Sequence, residues 1–211
     1  VSHVQSTEST ILLTRGATRL TKCKISGGNC HIISGIATAF LEIFDCEIEN
    51  STQAAVNIQD TAIAVCNNLT ISEAQFGVLC QRFSILTITN SKIINNKQSG
   101  INIYDNSVAS ITNCIIKDNN KMGMEIASKG HNIYLENNKI ESNGLAGGLI
   151  NDHSHITLLG NTIKNHESFG FEVRGSSEII MNGNQFSETK SNAFLLARES
   201  SIIYSKNDTF S

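Results

Sequence analysis

The chain has 211 residues, a formal charge of −3, 40% hydrophobic and 17% charged residues, and neither proline nor tryptophan. Its length fits one domain, its aliphatic content excludes a disordered segment, and its mildly acidic balance gives no electrostatic case for nucleic acid. No apolar run reaches membrane length and nothing near Val1 reads as a signal peptide, so no membrane partner is expected.

Residues 1–10 (VSHVQSTEST) carry no periodic pattern and are expected to form a lead-in or cover. From Ile11 the chain repeats itself. An apolar residue closing a short polar segment recurs as Ile25, Ile48, Ile71, Ile93, Ile116, Ile140, Ile163, Phe186 and Phe210, in steps of 22 to 24 residues. A second row opens on Ile11, Ile33, Val56 and Val78, passes through Gly148, and closes on Phe171 and Phe194. A third, two residues later, runs from Leu13 to Val173 and Leu196, and a fourth from Leu20 and Ile43 to Met181 and Tyr204. Within each segment the apolar residues stand two apart, which is strand spacing, and no stretch offers a helical stripe. Strands this short cannot bury a face alone. They can when each repeat is one turn of a coil and every strand pairs in parallel with its copies ~4.8 Å above and below. The expected fold is all-β: a single-stranded right-handed parallel β-helix solenoid over 11–211, with about nine coils and three short strands per coil. The missing proline suits it, because a stacked sheet uses nearly every N–H.

At the turn ahead of the anchor, the row reads Cys23, Cys46, Leu69, Ser91, Cys114, Asn138, Asn161, Asn184 and Asn207. A stack of amides lets each side chain bond the next and satisfy backbone groups that the corner leaves unpaired. Small thiols fill the same corner in the N-terminal half as small hydrophobes would. Cys66 and Cys80 also fall at inward positions, Cys30 falls in a loop, and no C-x-x-C pair suggests zinc. Buried reduced thiols and an intracellular setting are expected, although Cys23 and Cys46 stack closely enough for a disulfide and sequons stand at Asn50, Asn68 and Asn207. The chain stops one residue after Phe210, so the last coil lacks its third strand, and the expectation is a segment of a longer protein.

Several outward rows carry chemistry. Between the second and third apolar rows lie Leu12, Ser34, Asn57, Leu79, Asn102, Glu125, Leu149, Glu172 and Leu195. Glu125 and Glu172 stand two coils apart, ~9.6 Å at the backbone, near the upper separation of an inverting carboxylate pair. Leu79, Leu149 and Leu195 offer an apolar contact stripe to a protein partner or to other domains of the same chain. In the row that runs through Asp60, Arg82, Asp105, Ser128 and Asp152, the first three alternate in charge, as stacked strands do without any function, and Ser84, Ser107, Gly130, Ser154, Ser177 and Ser200 make a small corner column. A cluster of Asp152, His153, His155, Arg174 and Glu178, with His131 one coil away, brings imidazoles and carboxylates together. Its ligands sit on successive turns with no helix to fix them, so no metal and no cofactor are expected.

The pattern I-x-L-x-x-N-x-I, a polar loop, then G-[IMF]-x-[IV] resembles the parallel β-helix repeat of the pectin-lyase-like superfamily from about Ile11 to Phe210. That superfamily holds polysaccharide lyases and hydrolases, phage tailspikes, adhesins and non-catalytic intracellular modules, and its enzymes run their substrate groove along one sheet. The resemblance therefore implies fold and not activity. Asp152-His153 matches two letters of the lyases' W-I-D-H segment, but this chain has no tryptophan. Without proline it also has no R-x-P-x-x-R, and the hydrolase marks N-T-D, D-D, H-G and R-I-K are missing too. The expected role is a non-catalytic scaffold or protein-interaction module. The alternative is a polysaccharide-binding or polysaccharide-processing protein, with Glu125, Asp152, His153, Glu172 and Arg174 as its candidate catalytic residues.

Overall fold

The computed structural model describes residues 9–129, 132–191 and 193–211. Most of the lead-in, Gly130 and His131 fall outside the described residues. The chain winds as a parallel solenoid of about nine turns with three strands to a turn. The anchor segments form one sheet of nine strands, from Lys24–Gly28 to Thr209–Phe210. The other two strands of each coil form a middle and a third sheet. In the first two coils one long strand, Ile11–Thr21 and then Ile33–Phe44, runs round the corner and joins these two into a single ladder.

Pairing stacks like on like. Ile25 lies on Ile48, Ile48 on Ile71, Ile163 on Phe186 and Phe186 on Phe210. Ile48, Ile71, Ile93, Ile116, Ile140 and Ile163 are wholly buried. At ~1.5–3 kcal/mol for each large apolar side chain removed from water, such columns drive the coiling. Gly148 interrupts its row for a steric reason: a Cβ there would lie 2.1 Å from the ring of Phe171, its partner on the next coil. The large ring occupies the room that the glycine leaves.

The last coil departs from the expected register by one residue. Phe171 pairs with Leu195 rather than Phe194, and Met181 with Ser205 rather than Tyr204. The rows from Leu195 through Asp208 lie one residue later than the spacing predicts, whereas the anchor Phe210 keeps its expected place on Phe186. Leu195 thus packs against the core under Phe171, and Tyr204 turns outward. In the turn column the same slip replaces Asn207 with Asp208, whose Oδ1 accepts from Asn184 N (2.6 Å) and Asn184 Nδ2 (2.8 Å). Asn207 takes the left-handed position beside it (φ 55°).

Below Asp208 the amides bond in series. Asn184 Oδ1 accepts from Asn161 Nδ2 at 2.9 Å, and Asn161 Oδ1 accepts from Asn138 Nδ2 at 3.0 Å. Each amide also donates to a backbone carbonyl, Leu158 O, Leu135 O and Ile111 O respectively. In the N-terminal half the thiols are more than small hydrophobes. Cys46 Sγ accepts from Cys23 N (3.4 Å) and donates to Phe44 O (3.1 Å), while Cys114 Sγ donates to Thr112 O (3.3 Å). All six cysteines are free thiols, and burial pushes Cys66 up to about 12 and Cys80 and Cys114 up to about 11.

A second column, unforeseen in the sequence, lines the next corner. Asn96 Nδ2 donates to Asn119 Oδ1 (2.8 Å), Asn119 Nδ2 to Asn143 Oδ1 (2.9 Å), and Asn143 N to His166 Nδ1 (3.2 Å). His166 is fully buried, and its Nε2 meets Ile140 O at 3.1 Å, so Nε2 carries the proton. Burial holds this imidazole down to about 4. Gly77, Gly100, Gly123, Gly147 and Gly170 stack against the column, and a Cβ on any of them would meet the next coil's carbonyl at 2.4–2.8 Å. Between the middle and third sheets, several of the described corners use two successive left-handed residues, such as Asp60-Thr61, Arg82-Phe83, Asp105-Asn106 and Asp152-His153. Asn and Asp adopt that conformation at little cost, which is a further reason for their abundance. The serine column there runs Ser84, Ser107, Ser128, Ser154, Ser177 and Ser201. Ser128 therefore belongs to it rather than to the charged row, and Ser201 replaces Ser200.

Candidate functional site

On the middle sheet the inward side chains alternate with an outward column. The pairing places Ser34, Asn57, Leu79, Asn102, Glu125, Leu149, Glu172 and Leu196 one over another. Leu196, not Leu195, ends it. Beside it a second column carries Gln59, Gln81, Tyr104, Asn151, Arg174 and Arg198. There Gln81 Nε2 donates to Gln59 Oε1 at 2.9 Å.

An outward column on a solenoid is expected to be solvated. This one is recessed. Ser34, Asn57 and Asn102 are 1–3% exposed, and Leu149 is 5% exposed. Asn57 Nδ2 donates to Ser34 Oγ at 2.9 Å, and Asn102 Nδ2 donates to the Tyr104 phenol oxygen at 2.6 Å and reaches Glu125 Oε2 at 3.5 Å. Their amide oxygens, Asn57 Oδ1 and Asn102 Oδ1, meet no donor, and Arg174 Nε meets no acceptor. A buried carbonyl left without a donor costs about 1–3 kcal/mol, so such groups on one face call for an explanation. Burial pushes the Tyr104 phenol up to about 12. It stays a neutral hydroxyl near neutral pH, with a proton to donate. Glu172 Oε1 lies 3.2 Å from Arg198 Nε and is largely screened from solvent.

The other candidates disperse. Glu125 and Glu172 do stand two coils apart with Leu149 between them. Asp152 and His153 sit away from them, on the corner. There Asp152 Oδ1 lies 3.9 Å from Lys129 Nζ and 3.7 Å from His153 Nδ1. No hydrogen bond or ion pair among the described residues joins either of them to Arg174. His155 pairs with Glu178 on the third sheet, Nδ1 to Oε2 at 3.4 Å. Among the described residues no group of three or more His, Cys, Asp or Glu is placed to hold a metal. The leucine stripe does not form either, because Leu149 is buried and Leu195 faces the core. Many of the exposed apolar side chains stand instead on the third sheet, among them Ile63, Ile85, Ile180 and Tyr204. Their outward parity could have been counted from the inward residues beside them, Ala64, Leu86 and Met181.

Coiling, register and corner columns define a right-handed parallel β-helix. Residues 2–102 and 76–211 match the family described as the right handed beta helix region, and the chain belongs to that family. Among solved structures the fold is similar to a point mutant of the periplasmic alginate epimerase AlgG. The TM-score is 0.75 and the identity 16%, over 92% of this chain and 51% of the epimerase. It is also similar to pectate lyase Pel9A, with a TM-score of 0.60 and 11% identity over 95% of this chain and 70% of the lyase. The chain thus spans about half the length of the epimerase, and at these identities the likeness is one of fold. No curated protein sequence matches it.

Proposed function

We propose that this β-helix binds a polysaccharide chain along the outer face of its middle sheet. The observation that carries the reading is the pair of recessed amide oxygens, Asn57 Oδ1 and Asn102 Oδ1, which stand two coils apart in one column without a donor. An extended sugar polymer lying along the solenoid axis brings hydroxyl donors at regular intervals; both oxygens are buried, so the side chains flanking them must shift to admit a hydroxyl, and each bond then made removes a standing penalty. Gln59, Gln81 and Tyr104 add donors and acceptors beside the column. The free Nε of Arg174 and the nearby Arg198 supply positive charge for sugar carboxylates. The fold neighbours, an alginate epimerase and a pectate lyase, are named for carboxylate-bearing polysaccharides, which supports the same class of ligand here. The reading is one of binding. Glu125 and Glu172, the two carboxylates of the column, are separated by a buried leucine.

The test is calorimetric titration with alginate and pectate oligomers and with a neutral glucan, repeated on Asn102→Leu and Arg174→Ala. Saturable binding of an acidic oligomer, weakened about tenfold or more by either change, is expected. Binding that both variants leave intact, or silence across all three sugars, overturns the reading. Silence would return the chain to the scaffold role.

A further inference from the structure

The third sheet presents a different surface. Tyr134, Thr157 and Ile180 are register partners on three successive coils. Two residues upstream in the same strands, His155 lies on Glu178, their side chains 3.4 Å apart, and the Tyr134 hydroxyl meets Asn132 Oδ1 at 3.5 Å. Together these side chains line an open depression of about 190 Å³. Tyr134 and Ile180 are each close to half exposed, 46% and 48%.

The lining divides by chemistry. The Tyr134 ring and the Ile180 side chain offer an apolar edge, while Asn132, His155 and Glu178 offer amide, imidazole and carboxylate on the other. A small ring with C–H groups on one face and hydroxyls around its rim satisfies both. The depression is smaller than the ~300–1,000 Å³ of drug-sized sites, so it holds one such ring and not a chain. Among the described residues no lysine or arginine lines it, and the Glu178 carboxylate disfavours an anionic ligand.

We propose that this depression is a second ligand site, which takes a single neutral pyranose ring stacked on Tyr134 and Ile180, with its hydroxyls on His155, Glu178 and Asn132. It lies on a different sheet from the recessed asparagines and does not depend on polymer binding there. Its ligand preference is also opposite, neutral here and acidic there.

Saturation-transfer NMR on the full chain, with methyl glucopyranoside, methyl mannopyranoside and methyl glucuronate as probes, tests it. Millimolar binding of a neutral glycoside is expected, weakened about tenfold by Tyr134→Ala, retained by Tyr134→Phe, and unaffected by Asn102→Leu. Tyr134 is exposed, so the alanine variant should keep its thermal midpoint, and a circular-dichroism melt verifies this. The proposal is overturned if neither neutral glycoside binds, if Tyr134→Ala binds as tightly as the parent, or if the glucuronate is preferred. Loss of binding in Asn102→Leu with retention in Tyr134→Ala would place the sugar on the middle sheet and overturn it equally.

Discussion

Asn161 and Asn102 are asparagines of almost equal burial, 0% and 1% exposed, in opposite circumstances. Asn161 Nδ2 donates to Leu135 O and Asn184 Oδ1, and its Oδ1 accepts from Asn138 N and Nδ2. Asn102 uses its Nδ2 and leaves Oδ1 with nothing. A corner amide completes the backbone of a turn, so its burial is compensated at every atom. A face amide is buried without completing anything. The difference separates residues kept for stability from residues whose burial the fold does not need.

Replacing each asparagine should therefore give opposite results. Asn161→Leu strands Asn138 N and Leu135 O in a dry corner. At about 1–3 kcal/mol for each stranded group, it should lose roughly 2–6 kcal/mol, read from the urea midpoint. An unchanged midpoint would mean that the column carries no load.

The second corner column gives a pH test. In its folded position His166 is held down to about 4, against an ordinary 6.5, first by burial. The unfolded chain thus binds more protons than the folded one between those values. Stability is complete above pH 6.5 and is lost as the pH falls toward 4, by up to roughly 3 kcal/mol at 1.36 kcal/mol per unit. His31, also lowered chiefly by burial and accepting from Ala54 N, adds in the same sense. His166→Asn should flatten most of the slope, because an amide can accept from Asn143 N and donate to Ile140 O without titrating. Urea unfolding at pH 7 and at pH 4.5 checks this, and an undiminished slope in the variant would assign the effect elsewhere.

The coil was readable from spacing alone, since Ile48 on Ile71 and Asn138 on Asn161 follow from steps near 23. The column of Asn96, Asn119, Asn143 and His166 keeps the same steps, yet it lies in polar loop segments where no apolar alternation marks the register. Its fourth member is moreover a different residue type. In the last coil, neighbours of like character hid a one-residue slip: Asn207 beside Asp208, and Ile203 beside Tyr204. Parity placed Leu79, Asn102 and Leu149 outward, but parity carries no depth. How far a column is recessed depends on the side chains flanking it on neighbouring strands. The orphaned oxygens therefore became visible only in three dimensions.

Asn102→Leu turns that depth into a measurement. The change removes an unsatisfied oxygen and one hydrogen bond to Tyr104, so the two effects should nearly cancel, leaving stability within about 1 kcal/mol of the parent. Polymer binding should nonetheless fall about tenfold. A large loss of stability would make Asn102 one more structural amide and erase the contrast with Asn161.

The smallest effect concerns Glu172, which forms an ion pair with Arg198 on the recessed face. The guanidinium side is more than half exposed, so the pair is worth at most ~1 kcal/mol, and Glu172→Gln should shift the thermal midpoint little. Its consequence for binding is larger than for folding. Removing the carboxylate releases Arg198 beside Arg174 and deletes the nearest repulsion for a uronate. Affinity for an acidic oligomer should therefore rise severalfold and become more sensitive to salt, while affinity for a neutral glucan stays put. Equal gains for both sugars would show that the face discriminates by shape and not by charge.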